Sequence, residues 1–400
     1  MCVLTFTEEN NKISAFFNYG AAVDVGTTTV VLKLYSADGV CVGVSSALNP
    51  QREFSADVIG RISHSLNGGR GKLKEIIIDC ISHLLNSACG FAGIHNTDGD
   101  RMVITGNTAM LYLLTGRNPV SISRFPFKPD CLFGEWTELL GIKTYLAPCI
   151  SAFVGGDTVC ALLSSGILCK KETALLCDIG TNGEIALYKN GALYVTSVAA
   201  GPAFEGGGIS CGCSAASGAV YRVWAEDGEI YSHTIENANA IGICGSGLID
   251  ALSAFLEEGC IDTEGTALRP LVIQAKGKSI SLTQKDIRAL QLAKSAVAAG
   301  IECMLSRTGT EVGDIKTLYI SGAFGTKIDP QSAVNIGLFP SGLKDKTHFI
   351  GNGALDGASK ILFDNSSFAL SKDLSAKAKT LFLGGSKDFN QSFMKNISFK

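Results

Sequence analysis

Two short segments of this sequence could do chemistry on a polyphosphate. Residues 24–29 read Asp-Val-Gly-Thr-Thr-Thr, and residues 178–184 read Asp-Ile-Gly-Thr-Asn-Gly-Glu. A strand ending in Asp-x-Gly-Thr presents successive backbone N–H groups at a tight turn, an anion nest suited to phosphate oxygens. Gly26 and Gly180 let a phosphate come close, and the hydroxyls of Thr27, Thr28, Thr29 and Thr181 add donors. Asn182 and Gly183 complete the second turn. Asp24 and Asp178 suit Mg²⁺, which keeps several waters beside one or two carboxylates. One such tetrapeptide is more often an ordinary hairpin. Two, each followed by a hairpin and separated by a domain's length, are expected to clamp one polyphosphate between two lobes.

Other segments add weaker candidates. Ser321-Gly322-Ala323-Phe324-Gly325 follows a short apolar run and suits a purine or ribose lying on exposed backbone, or is a plain strand-to-helix turn. Val154–Thr158 offers a third carboxylate, Asp157, as a catalytic group or as a helix cap. Lys294 either reaches a nucleotide or sits on a solvated helix face. Gly106-Asn107-Thr108 is a helix cap or a polar turn facing the cleft. Cys211 and Cys213, one residue apart, supply at most half of a tetrahedral metal site and fit small-residue packing better. The five histidines are scattered without metal-ligand spacing. There is no Walker A or dinucleotide Gly-x-Gly-x-x-Gly pattern.

The elements that must position these residues repeat. A strand over 21–25, the first Asp-x-Gly-Thr, a strand over 30–35, an Asp38-Gly39 turn and a strand over 40–46 form one meander. A strand over 174–177, the second Asp-x-Gly-Thr, a strand over 185–188, an Asn190-Gly191 turn and a strand over 192–198 form another. Helical spacing marks 72–88, 159–167, 248–258 and a long segment from Thr283-x-x-Asp286 to about Arg307, where a capping-box variant starts the helix. Short strands are expected at 102–105 and 318–320, a glycine-dense loop at 201–212 and a closing small-residue helix at 351–363. The division read from this pattern is a leader at 1–20, a first lobe at 21–155, a second lobe with connecting helices at 156–365, and a partly ordered tail at 366–400.

Composition narrows the class. Thirty-four basic against 37 acidic side chains give a net charge of −3, which argues against bulk binding to nucleic acid or an anionic membrane. With 46% hydrophobic and 18% charged residues the chain is built to fold. The first residues lack the basic and apolar regions of a secretory signal, so 14 cysteines read as thiols of a reducing cytoplasm. Neither Cys-x-x-Cys nor plant-type iron–sulfur spacing occurs, so no cluster is expected on this chain. Residues 145–169 are apolar enough to suggest a membrane span, but Pro148, Gly155-Gly156 and Asp157 interrupt them.

The order DVGTTT, a linking helix at 156–167, DIGTNGE, SGAFG and a closing helix at 353–363 resembles the acetate-kinase, sugar-kinase, heat-shock-chaperone and actin superfamily. There these pieces are phosphate-1, connect-1, phosphate-2, adenosine and connect-2. More narrowly, VDVGTTT, GNTAM, DIGTNGE, GPAFEGGGISCG, CGSGLIDA and QKDIRALQLAK resemble reductive activators of corrinoid-dependent enzymes, over about residues 20–365. The resemblance implies an α/β, two-lobed actin-like ATPase fold of duplicated ribonuclease-H-like lobes. It implies ATP and Mg²⁺ as cofactors and a corrinoid protein or corrinoid-dependent methyltransferase as partner, restored from Co(II) to Co(I). Asp24, Asp178 and Asp157 would be the catalytic carboxylates, the first two at the metal. Gly26, Thr27–Thr29, Gly180–Gly183, Gly322, Ala323, Phe324, Gly325 and Lys294 would line the nucleotide. In the family an attached iron–sulfur domain passes the electron; here a separate ferredoxin-like donor is expected, and a homodimer stays open. The rival readings are a small-molecule kinase for an acid or sugar on the same fold, and a non-redox ATP-gated interaction module.

Overall fold

The first alternating segments pair as their turn residues dictate. The structure, a computed structural model, describes residues 19–94, 99–322 and 328–399. Strands β1 (Tyr19–Val25), β2 (Thr29–Ser36) and β3 (Cys41–Leu48) form an antiparallel meander. β1 carries Ala21, Ala22, Val23 and Val25 buried in succession, the pattern of a central strand covered on both faces. β4 (Gly99–Gly106) runs parallel to it on the other side, and β6 (Ile142–Leu146) runs parallel to β4, with β5 (Glu135–Leu139) antiparallel at the edge. The sheet order is β3-β2-β1-β4-β6-β5.

The Arg70–Ala92 helix buries Leu73, Ile77, Ile81, Leu84, Leu85 and Ala88, the face its spacing predicts. It lies close on β3: a Cβ at Gly43 would stand 2.8 Å from the Ala88 carbonyl oxygen. The described residues up to Leu163, with Ala354–Ala376, make one compact unit. Within it the Gly156–Ser165 and Gly353–Phe363 helices touch backbone to side chain: a Cβ at Gly357 would lie 1.9 Å from the Cys160 carbonyl oxygen, and Lys360 Nζ donates to Leu163 O at 3.0 Å. Residues 145–169, the apolar run, are β6, a loop and this first helix. Among the described residues no helix is long and apolar enough to cross a membrane.

The second unit, Ser164–Gly353 with Lys377–Lys400, repeats the plan. β7 (Ala174–Ile179), β8 (Asn182–Lys189) and β9 (Ala192–Ala199) form the meander. An insertion follows: β10 (Ala219–Glu226), β11 (Glu229–Thr234), β12 (Gly242–Ile243), β13 (Leu271–Ala275) and β14 (Lys278–Leu282) build a separate sheet in the order β12-β10-β11-β13-β14. The main sheet is completed by β15 (Thr317–Ser321), β16 (Thr347–Phe349) and β17 (Lys379–Thr380), in the order β16-β15-β7-β8-β9-β17. β15 and β16 run parallel beside β7, as β4 and β6 do beside β1. The Gln284–Thr308 helix opens with the expected capping box between Thr283 and Asp286.

The unit boundaries differ from the sequence division, because the closing helix packs on the Gly156–Ser165 helix within the first unit. The C-terminal stretch read as a tail is largely regular: an Asn365–Lys377 helix, β17, and a Lys387–Lys395 helix. Phe389 and Phe393, one helical turn apart, pack on the second unit's core, and Phe399 is buried. Arg307 holds Asp388 through two bonds of 2.9 Å, and Glu302 accepts from Ser392 and Asn396. Residues 1–18, which include most of the expected leader, lie outside the described residues.

Candidate nucleotide-binding turns

Asp24 is the penultimate residue of β1, opposite Val31 of β2 and Thr105 of β4. The chain then turns back: Gly26 N donates to Thr29 O at 3.0 Å, and a Cβ on Gly26 would sit 2.7 Å from that oxygen. Only glycine fits so close an approach. Two asparagines brace the turn. Asn49 donates its side chain to Gly26 O (2.8 Å) and its backbone N–H to Thr28 O (2.9 Å). Asn107 donates to Thr27 Oγ1 (3.1 Å), and its own oxygen accepts from Met110 N (3.0 Å), capping the Thr108–Thr115 helix. Gly-Asn-Thr is thus both cap and brace. Asn49 escaped the sequence reading; its signal was an Asn-Pro step directly after a strand.

Asp157 opens the Gly156–Ser165 helix, and its Oδ1 accepts from Thr158 N at 2.7 Å. The segment before it is pressed onto the Asn107 brace, since a Cβ at Gly155 would lie 2.4 Å from Asn107 Cα. Burial pushes the Asp157 carboxyl up to about 6, against the hydrogen bonds from Thr158 that lower it. Burial also pushes the Cys149 thiol up to about 12. Burial raises the Cys160 thiol, against a hydrogen bond with Thr105 that lowers it, and the charges of Asp157 and Asp24 raise it further.

In the second unit Asp178 stands opposite Glu184 of β8 and Ser321 of β15. Ser321 Oγ donates to Asp178 Oδ2 at 3.2 Å. Gly322 has a φ of +108° and would bring a Cβ within 3.1 Å of Asp178 Oδ1, so the first half of Ser-Gly-Ala-Phe-Gly abuts the carboxylate. Ala323, Phe324 and Gly325 lie outside the described residues. The turn itself is one residue shorter than the first: Gly180 N donates to Asn182 O at 2.9 Å. Thr181 N donates to Glu205 Oε1 (2.9 Å), and Gly201 N donates to Thr181 O (2.8 Å). The Gly183 Cα is turned instead toward Val198 and Val297, where a Cβ would stand 3.1 and 3.2 Å from their methyls. Its smallness serves packing.

Lys294 is neither on a solvated face nor at a turn. It is fully buried; its Nζ donates to Ser398 O at 2.6 Å and stands 5.3 Å over the Phe399 ring. The buried face of the long helix is wide enough to take in this side chain, and the C-terminal residues satisfy its ammonium. Cys211 and Cys213 bracket a small bridge: Ile243 N donates to Cys211 O and Cys213 N to Ile243 O. Burial pushes both thiols up to about 11, which disfavours the thiolate form a metal needs. Among the described residues no group of three or more His, Cys, Asp or Glu side chains gathers to hold a metal. Each turn carries one carboxylate, Asp24 or Asp178, the kind of ligand beside which Mg²⁺ keeps its waters.

Comparison with known proteins bears on the whole chain. Residues 19–170 match the RACo middle region, and residues 172–400 match the C-terminal domain of RACo, the ASKHA domain. The chain is 33% identical to the corrinoid activation enzyme RamQ of Eubacterium limosum, over 99% of its own length and 72% of that protein. It is 25% identical to a Co(II) methylated amine-specific corrinoid protein reductase of Methanosarcina barkeri, over 95% of its length and 77% of that protein. A solved reductive activator for a corrinoid, iron–sulfur protein superposes with a TM-score of 0.90 at 31% identity, covering 96% of this chain and 66% of that one. The repeated β-meander with its parallel partners is therefore the ASKHA, actin-like ATPase fold, and the chain belongs to the RACo family of reductive activators of corrinoid proteins.

Proposed function

We propose that this chain is an ATP-dependent activator that assists the return of a corrinoid protein from Co(II) to Co(I). The observation that carries the reading is the paired turn. Asp24 and Asp178 occupy the same place, the end of the central strand, in two sheets that share the order of five strands, β3-β2-β1-β4-β6 and β9-β8-β7-β15-β16. The family relatives named for corrinoid activation and corrinoid reduction supply the client.

The Asp24 turn, with Thr27–Thr29, and the Asp178 turn, with Gly180–Asn182 and Gly322, are the phosphate ligands in this proposal. Backbone amides and threonine hydroxyls bind phosphate oxygens. Asp24 and Asp178, each at its own turn, would hold Mg²⁺ through its waters, and a bound ion would supply charge neutralisation at the phosphates. Asp157, held near neutrality by burial, takes the proton from the attacking water. ATP favours whichever conformation binds it better and shifts the client only through that difference.

The reduction itself is Co(II) plus one electron giving Co(I). The cysteine spacing of the sequence follows no iron–sulfur pattern, so this proposal assigns the electron to a separate iron–sulfur, ferredoxin-like donor. Cytoplasmic residence follows from the same redox chemistry. The test is ATP turnover with and without a corrinoid protein and a low-potential reductant. Stimulation by the corrinoid protein supports the reading. Transfer of the γ-phosphate to an acid or sugar would move it to the kinase alternative, and ATP binding without any effect on cobalt would move it to a non-redox module.

A further inference from the structure

The two turns are braced by different chemistry. Neutral side-chain amides, Asn49 and Asn107, hold the Asp24 turn. A carboxylate holds the Asp178 turn: Glu205 Oε1 accepts from Thr181 N at 2.9 Å and lies 3.0 Å from where a Cβ of Gly180 would be. It therefore sits over the open glycine face of the turn, bonded to an amide of the kind a phosphate oxygen would use. The neighbouring amide, Gly180 N, is already spent on Asn182 O.

Glu205 is placed there by its own loop. It ends the short Pro202–Glu205 turn, between Gly201 (φ +79°) and Gly206 (φ +79°), with Phe204 fully buried beneath it. The hold is reciprocal, because Gly201 N donates to Thr181 O. The same loop continues to Ser210, which donates through its N–H (2.7 Å) and hydroxyl to Asp286 in the capping box of the long helix. It then reaches Cys211 and Cys213, bridged to Ile243 of the inserted sheet.

We propose that Glu205 is a built-in competitor for phosphate: its carboxylate occupies the Thr181 amide when nucleotide is absent, and a bound nucleotide takes that amide and frees the loop at 201–212. The inference rests on the reading of the Asp178 turn as a phosphate site. Two anions cannot share one N–H donor at close range, so a phosphate at Thr181 expels the carboxylate. The expelled residue draws on a loop tied to the long helix and to the inserted sheet, which gives nucleotide binding a mechanical outlet. A ligand shifts a conformation only by preferring one state, and phosphate binds only the state with Glu205 withdrawn.

The experiment titrates the full chain with ATP and Mg²⁺, and with adenosine, in the parent, Glu205→Gln and Glu205→Asp. Gln keeps the shape and loses the charge; Asp is too short to reach Thr181. Charge-assisted hydrogen bonds exceed neutral ones by enough that either variant should bind ATP about tenfold more tightly, with adenosine affinity unmoved. Hydrogen exchange over 201–212 should rise when the parent binds ATP, and should be high in both variants before any ATP is added. Unchanged or weaker ATP binding in both variants overturns the proposal while leaving the nucleotide site in place. Failure of the parent to bind either ATP or adenosine overturns the nucleotide reading itself, and this inference with it.

Discussion

Replacing Asp157 by Asn should make the protein more stable and less active, with a pH signature that identifies the cause. The native carboxyl titrates at about 6 against an ordinary 3.8 because burial disfavours its charged form. At 1.36 kcal/mol per pH unit, that gap corresponds to about 3 kcal/mol of differential stability. The native state holds the proton more tightly than the unfolded chain does. Its contribution is therefore fully present below the unfolded value and is lost as pH rises through the folded value. Asn carries no such penalty, so its advantage over the parent should be about 1.5 kcal/mol at about pH 5 and reach about 3 kcal/mol near pH 8. Urea unfolding of parent and variant across that range reads the difference directly. Losing the proton acceptor should lower ATP turnover by roughly 10²–10⁴-fold with little change in ATP affinity. An advantage that does not grow with pH would refute the burial argument. Unaltered turnover would remove Asp157 from the chemistry.

Three further substitutions probe other parts of the account. Asp178→Ala should depress Mg²⁺-dependent turnover much more than nucleotide affinity, since its proposed role is through the metal's waters; equal losses in kcat and affinity, measured by turnover and titration, would contradict that role. Gly357→Ala puts a methyl where the Cys160 carbonyl oxygen already lies 1.9 Å away, and backbone cannot rotate aside, so it should cost about 3 kcal/mol or more in unfolding measurements. Lys294→Met strands the Ser398 carbonyl and should lower stability by about 1–3 kcal/mol while leaving ATP affinity alone; a large loss of ATP binding would restore Lys294 to the nucleotide site.

Much of this fold is written locally. Glycine turns at Asp38-Gly39 and Asn190-Gly191 set both meanders, and the Thr283–Asp286 box starts the long helix where local chemistry says it must. The inserted sheet was missed although its hairpins carry Asp227-Gly228 and Lys276-Gly277 at their turns. Its strands are short, and β11 meets β13 through one parallel register pair whose partners are far apart in sequence. Long-range pairing of that kind leaves no periodic trace. The tail was misjudged for a similar reason: Phe389, Phe393 and Phe399 look isolated until the long helix offers Arg307 and Glu302 as anchors.

At the first turn, the glycine at Gly26 was legible because the backbone approach to Thr29 demands it. The braces were not. Asn49 reaches Gly26 across the width of the meander, and Glu205 reaches Thr181 only because a second glycine loop folds back on the first. Lys294 shows the converse failure. Its helical position was predicted correctly, but a lysine on a broad buried face finds its partner in the last residues of the chain.

The central claim is that nucleotide chemistry on this chain drives cobalt reduction. The direct measurement is the corrin absorbance of a corrinoid protein held as Co(II), mixed with this chain and a low-potential iron–sulfur donor, with and without ATP and Mg²⁺. The Co(I) spectrum is expected only when chain, donor and ATP are all present, and is expected to be lost in Asp178→Ala. Co(I) appearing at the same rate without ATP, or never appearing with any donor while ATP is consumed on a small acid or sugar, would contradict it.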